Sequence, residues 1–250
     1  MKTIRVAHLY YDLMNLYGEQ GNVTALVQAL KEQNIEVSLS KLSIEDEIDF
    51  ENYDVFIMGS GTDNNQKIVL NHLIKYKEQI KESIEKNKYF LCTGNSIELF
   101  GKKIKDKEGK EYTGLNIFDY ETVQSNERLV SECLFKCSLS RSYIIGFQNQ
   151  SGSIKDYEFD LFDVLEGIGC HKDSKVEGIH YNNFFGTYLI GPILVRNPQF
   201  LRKLAIDIIL EKNSNYRYKE FDFELNIEAY ETFMKQYYPT YYNKMKELEK

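Results

Sequence analysis

The stretch Tyr89-Phe-Leu-Cys-Thr-Gly-Asn-Ser-Ile-Glu-Leu-Phe-Gly101 does most to restrict the folds open to this protein. An apolar, aromatic run of strand type stops at Thr93-Gly94, polar Asn95 and Ser96 follow, and Ile97, Leu99 and Phe100 make a short apolar turn that ends at Gly101. A strand, a sharp turn and a helix start in so few residues are the elbow of α/β proteins. It sets one residue above the carboxyl edge of a sheet, beside N–H groups able to hold an anion. The residue at the elbow is Gly94, which offers no side chain.

The segments before the elbow repeat this pattern. Ile4–Tyr10 reads as a strand, a helix capped by Asn22 runs to Gln33 with Val23, Leu26, Val27 and Leu30 on one face, and Ile35–Leu42 is a second strand. Asp54-Val-Phe-Ile-Met-Gly-Ser-Gly is a continuous apolar run closed by glycines, the mark of a parallel strand buried on both faces. A helix over Lys67–Lys86 then leads into Tyr89–Thr93. The expected fold is therefore α/β, with a mainly parallel central sheet flanked by helices and right-handed crossovers. After Gly101 the elements shorten. Tyr120–Gln124, Arg128–Lys136, Tyr143–Asn149, Lys175–His180 and Gly186–Ile190 read as strands of an antiparallel or mixed half, followed by helices at Gln199–Lys212 and Ile227–Tyr238 and a charged tail.

Composition narrows the class of function. A sequence of 250 residues, 42% hydrophobic and 28% charged, is long enough to bury a large core as a single domain over residues 1–250. A net charge of −7, with the lysine runs interleaved with acids, argues against nucleic-acid binding. No stretch reaches the roughly 20 apolar residues of a membrane span, and the N-terminus enters a strand directly, so a cytoplasmic protein is expected. Four cysteines are too few for a disulfide scaffold. Cys133, Cys137, Cys170 and His171 lack the close spacing of a zinc site, and no metal or cofactor is expected.

Five blocks carry a resemblance: Asp12-Leu-Met-Asn-Leu-Tyr-Gly-Glu-Gln-Gly-Asn-Val, Ile57-Met-Gly-Ser-Gly-Thr-Asp-Asn-Asn-Gln, Asn126-Glu-Arg-Leu, Ile145-Gly-Phe-Gln-Asn, and Glu177-Gly-Ile-His-Tyr-Asn-Asn-Phe-Phe-Gly-Thr-Tyr-Leu-Ile-Gly-Pro-Ile-Leu. With them the sequence resembles class I, flavodoxin-like glutamine amidotransferase domains of the cobyric acid synthase type, and most of all the branch that supplies ammonia for lipid II amidation in peptidoglycan synthesis. The resemblance implies a cysteine nucleophile at the elbow and a histidine in the Gly-Thr-Tyr-Leu-His-Gly-Pro block. Register counted back from Gly101 puts the nucleophile position on Gly94, and the histidine position falls on Ile190. It further implies that Arg128 orients the substrate and that Gly59 and Gly61 supply oxyanion-type N–H groups. The bland readings are an ordinary ion pair for Arg128 and a tight turn for the glycines. A Mur-ligase-like, ATP-dependent synthetase is the implied partner, in a heterodimer.

Glycine cannot attack a carbonyl and isoleucine cannot relay a proton, and a thiolate and its imidazole act as one unit. Three readings follow: a catalytically degenerate subunit that serves as a non-hydrolytic partner or regulator, an active glutaminase that uses Cys92 instead, and a module that has reused the pocket for another small ligand. The first leaves glutamine binding in question. Alternation places Cys92 inside the strand as a buried, inert thiol. The register also makes two geometric demands, a positive φ at Gly94 and the proximity of Ile190 to it.

Overall fold

The computed structural model describes residues 3–155 and 157–248. Strands and helices alternate through the first half: β1 (Ile4–Leu9), α1 (Gln20–Glu32), β2 (Val37–Leu42), β3 (Val55–Met58), α2 (Asp63–Leu73), α3 (Lys77–Glu85) and β4 (Tyr89–Thr93). A 3₁₀-helical turn, Gly94–Phe100, follows. The second half contains β5 (Lys103–Lys105), β6 (Glu111–Thr113), β7 (Glu121–Cys137), β8 (Ser142–Lys155), β9 (Asp160–Glu166), β10 (Val176–Tyr181), β11 (Phe184–Thr187) and β12 (Leu189–Ile190). Four helices close the described residues: α4 (Ile193–Arg196), α5 (Pro198–Lys212), α6 (Glu224–Tyr237) and α7 (Pro239–Leu248).

One sheet runs in the order β12-β8-β7-β9-β10-β11-β4-β3-β1-β2. The pairs β2–β1, β1–β3, β3–β4 and β4–β11 are parallel, and beyond β11 every pair along this path is antiparallel. The fold is thus the expected α/β arrangement with an antiparallel flank. All four residues of β3 and all five of β4 are buried, as continuous apolar runs require when both sheet faces are covered. Ile4, Val6, Val55, Ile57, Tyr89 and Leu91 pack on one face with Leu26 of α1 and Leu204 of α5. Ala7, Leu9, Phe56, Met58, Phe90 and Cys92 pack on the other with Val69, Leu73 and Ile80.

Several boundaries differ from the sequence reading. The helix expected over 67–86 starts at Asp63, with Thr62 Oγ1 accepting from Asn65 N–H, and a 3₁₀ turn at Ile74–Tyr76 divides it. The second strand begins at Val37 rather than Ile35. The two strands expected at 120–124 and 128–136 are one, β7, whose pairing with β8 shifts between Gln124 and Leu129. β9 and the tail helix α7 are absent from the sequence reading. Asn22 lies inside α1 and does not cap it; its side chain accepts from Leu194 N–H at 2.9 Å and donates to Gly191 C=O at 3.4 Å. It caps the start of α4 instead, and so fixes the segment just after Ile190.

Candidate functional site

The carboxyl ends of β1, β3 and β4 and the segment after β11 converge, as ligand sites in parallel sheets do. A cavity of about 370 Å³ opens there, lined by Leu16 and Tyr17 after β1, by Ser60–Asp63 after β3, and by Gly94 and Asn95 after β4. Arg128 and Asn149–Ser151 of the β7–β8 pair and Tyr188 complete the wall. Among these residues there is no cysteine and no histidine.

The elbow is tied down by Ser96, whose hydroxyl donates to Thr93 C=O at 2.8 Å, with Met58 C=O at 3.3 Å. Gly94 has φ +61°, the left-handed region where a Cβ is costly. A Cβ built on it would lie 2.5 Å from Ser60 Cβ, 2.6 Å from Ser60 Oγ and 3.1 Å from Ile190 Cγ2. Both geometric demands of the register are present. The space beside the elbow is already filled by Ser60 and Ile190, so Gly94 is a glycine for reasons of volume as well as of backbone.

The Gly61 backbone beside the elbow is engaged. Gly61 N–H donates to Asn95 Oδ1 at 3.0 Å, and Gly61 C=O accepts from Asn95 Nδ2 at 2.9 Å. At Gly59 an added Cβ would fall 2.5 Å from Met14 O and 2.6 Å from Glu19 Cβ, so this glycine permits close packing. Glu19 is fully buried there, and Tyr17 N–H donates to its carboxylate at 3.0 Å. Burial raises its pKa, opposed by backbone N–H groups of Glu19, Tyr17, Ser60 and Gly191. This carboxylate sits buried beside the turns after β1 and β3, and its second oxygen has no hydrogen-bond partner among the described residues.

Beneath the floor lies a buried polar group. Glu98 accepts from Gln66 Nε2 and Gln124 Nε2, both at 2.8 Å, and from Tyr188 O–H at 3.3 Å. Tyr188 N–H donates to Glu177 at 2.6 Å, and Thr187 O–H donates to the same carboxyl at 2.7 Å. Burial pushes the carboxyls of Glu98 and Glu177 up to about 7, against these hydrogen bonds. Sequence reasoning missed Ser60, Asn95 and Glu98. The signals were a serine between two glycines and a polar pair directly after an elbow.

Arg128 stands at the rim, exposed, with Nε donating to Asn149 Oδ1 at 2.6 Å and Nη2 to Asn149 C=O at 2.7 Å. That grip holds the guanidinium plane at the cavity mouth, where it can meet an anionic group. Cys92 is 1% exposed in β4 and packs in the core with Phe90 and Met58, away from the cavity; burial raises its thiol well above the ordinary range. Cys133, Cys137 and Cys170 are likewise buried and free. His180 sits in β10 against the Phe185 ring, at 4.9 Å between centroids. No group of three metal-ligating side chains occurs among the described residues, and no helix among them is long and apolar enough to cross a membrane.

Comparison with known proteins bears on the family and the fold. Residues 5–198 match the model of the CobB/CobQ-like glutamine amidotransferase domain. The sequence is 34% identical over 229 residues to the lipid II isoglutaminyl synthase (glutamine-hydrolyzing) subunit GatD of Staphylococcus aureus, covering 92% of this protein and 94% of that one. The GatD subunit of Streptococcus pneumoniae is 29% identical over 236 residues, covering 93% and 88%. Among solved structures, a glutamine amidotransferase from Thermotoga maritima superposes with a TM-score of 0.50 at 13% identity, covering 94% of each protein. The glutaminase domain of Trypanosoma brucei CTPS gives 0.54 at 7% identity, over 86% of this protein and 96% of that one. These two likenesses concern the fold alone.

Proposed function

The protein belongs to the CobB/CobQ-like glutamine amidotransferase family, and from that premise we propose that it is a catalytically silent member, a non-hydrolytic subunit that partners or regulates an ATP-dependent amide-forming synthetase. The observation that carries the reading is the interlock at the elbow. Gly94 supplies no nucleophile, Ser60 and Ile190 occupy the volume a side chain at 94 would need, and Ile190 offers no base. Asn95 takes up the Gly61 N–H that an oxyanion would require, which removes a third component of the chemistry.

Cys92 is a poor substitute. A thiol held in the core and raised above the ordinary range supplies almost no thiolate, and it does not line the cavity. The likeness to GatD subunits of lipid II isoglutaminyl synthase supports a role in lipid II amidation; in this reading the partner is a Mur-ligase-like synthetase in the cytoplasm, and this subunit would shape its use of free ammonia. Reconstitution with the ligase captured from the native cell tests the proposal. Amide formation should proceed with ATP and ammonium and fail with ATP and glutamine. Glutamine-dependent amide formation, or failure of any ligase to co-purify, would overturn it.

A further inference from the structure

Gly61 turns both its N–H and its C=O toward one side chain. The N–H donates to Asn95 Oδ1 at 3.0 Å, the C=O accepts from Asn95 Nδ2 at 2.9 Å, and Ser60 O–H also donates to Oδ1 at 3.2 Å. A primary carboxamide satisfies such a pair because it carries an acceptor and a donor side by side; an ionised carboxylate has no proton for the C=O. Ser60, Gly61, Gly94 and Asn95 all line the cavity, so the edge that Asn95 engages belongs to the cavity's own wall. Asn95 is held there from behind. Its backbone carbonyl accepts from Gln66 Nε2 at 2.8 Å, and Gln66 is fixed in turn within the buried group around Glu98.

We propose that Asn95 is an internal amide plug: its carboxamide occupies the Gly61 edge, so the cavity refuses a ligand's primary carboxamide at that position, and removing the Asn95 side chain opens a site for amide ligands of the glutamine class. The proposal rests on the reading of the site as non-hydrolytic, since turnover of glutamine would need this edge open. It makes Asn95 a specificity-determining residue. With the plug in place, the polar groups left to a ligand are those of the rim, chiefly the Arg128 guanidinium and Ser151, across the cavity wall from Asp63.

Calorimetric titration of wild type, Asn95→Gly and Asn95→Ala with L-glutamine, and with L-glutamate as the control, tests the plug, with glutamate release followed in the same samples. Wild type should show no saturable glutamine binding. At least one folded variant should bind glutamine saturably, and about tenfold more tightly than glutamate, the size expected when one hydrogen-bonded edge is filled or left unpaired. Equal glutamine binding by wild type and variants, or folded variants that bind none, overturns the plug. Glutamate release by wild type instead overturns the non-hydrolytic reading, so the two failures are distinguishable. Should both variants fail to fold, Asn95→Ser, whose side chain is too short to span both Gly61 groups, replaces them and is read in the same way, and saturable binding of glutamine to wild type refutes the proposal in any case.

Discussion

Gly94→Ala adds a single carbon to the elbow, and the structure sets out what that carbon meets. At φ +61° an L-residue costs about 1–2 kcal/mol relative to glycine. The new Cβ also falls 2.5 Å from Ser60 Cβ and 3.1 Å from Ile190 Cγ2, and forcing extra volume into a packed site costs about 1–3 kcal/mol. Restriction of the unfolded state returns only about 0.4–1 kcal/mol. The net destabilisation is about 1–5 kcal/mol, and Gly94→Cys should be no milder. The two costs separate in a double-mutant cycle. Ser60→Gly removes the nearest contacts but leaves φ as it is, so Gly94→Ala in that background should cost only about 1 kcal/mol, giving a coupling of about 1–3 kcal/mol. Urea titrations followed by far-UV circular dichroism, with unchanged slopes, measure all four corners. A Gly94→Ala change within about 0.5 kcal/mol of wild type, or a coupling indistinguishable from zero, would refute the account of the elbow.

Further outcomes follow from the same structure. Glu98 and Glu177 are raised by burial from 4.5 to about 7, so the folded protein keeps protons that the unfolded one has released. Stability should therefore be full below about pH 4.5 and fall as pH rises through about 7, and Glu98→Gln should flatten part of that slope in thermal melts taken across the range. Cys92 should resist iodoacetamide in the native protein and react only on unfolding, as mass spectrometry of the labelled peptides would report; rapid native labelling would contradict its placement in β4. Asn197→Ala should destabilise by about 2–3 kcal/mol, because Asn197 accepts from Ile145 N–H at 2.8 Å and donates to Ile145 C=O at 2.9 Å and Ile193 C=O at 2.8 Å, all buried. A loss below about 0.5 kcal/mol in denaturant would show that these bonds are replaced by others.

The parallel half was legible because burial on both faces leaves no choice of residue type: Val55–Met58 and Tyr89–Thr93 are apolar at every position but Thr93. The antiparallel flank was harder. Ser125–Glu127 has the composition of a turn, yet it is carried along inside β7, where its side chains are exposed and the pairing with β8 shifts. β9, Asp-Leu-Phe-Asp-Val-Leu-Glu, mixes acids with apolar residues in no strict alternation, so its pairing with β7 and β10 decides its conformation. The tail α7 reads as a solvated charged run. Its Tyr241, Tyr242 and Met245 pack beside Tyr230 and Met234 of α6, a stripe that the surrounding lysines and glutamates obscure. At the site, counting register was enough to bring Gly94 and Ile190 together. The bonds from Asn95 to Gly61 were not legible, since a polar residue after an elbow reads equally as the first residue of a helix. Asn22 misled for a related reason, as a capping residue type that caps a different helix.

The central claim is that this member of the family does no glutaminase chemistry. Glutamate and ammonia released from L-glutamine, measured with purified wild type alone and with any ligase that co-purifies with it, beside the Cys92→Ala, Gly94→Cys and Ile190→His variants, test it most directly. The account predicts no release above buffer from wild type or Cys92→Ala in either setting, and none from Gly94→Cys or Ile190→His taken singly. Release by wild type that disappears in Cys92→Ala would contradict it.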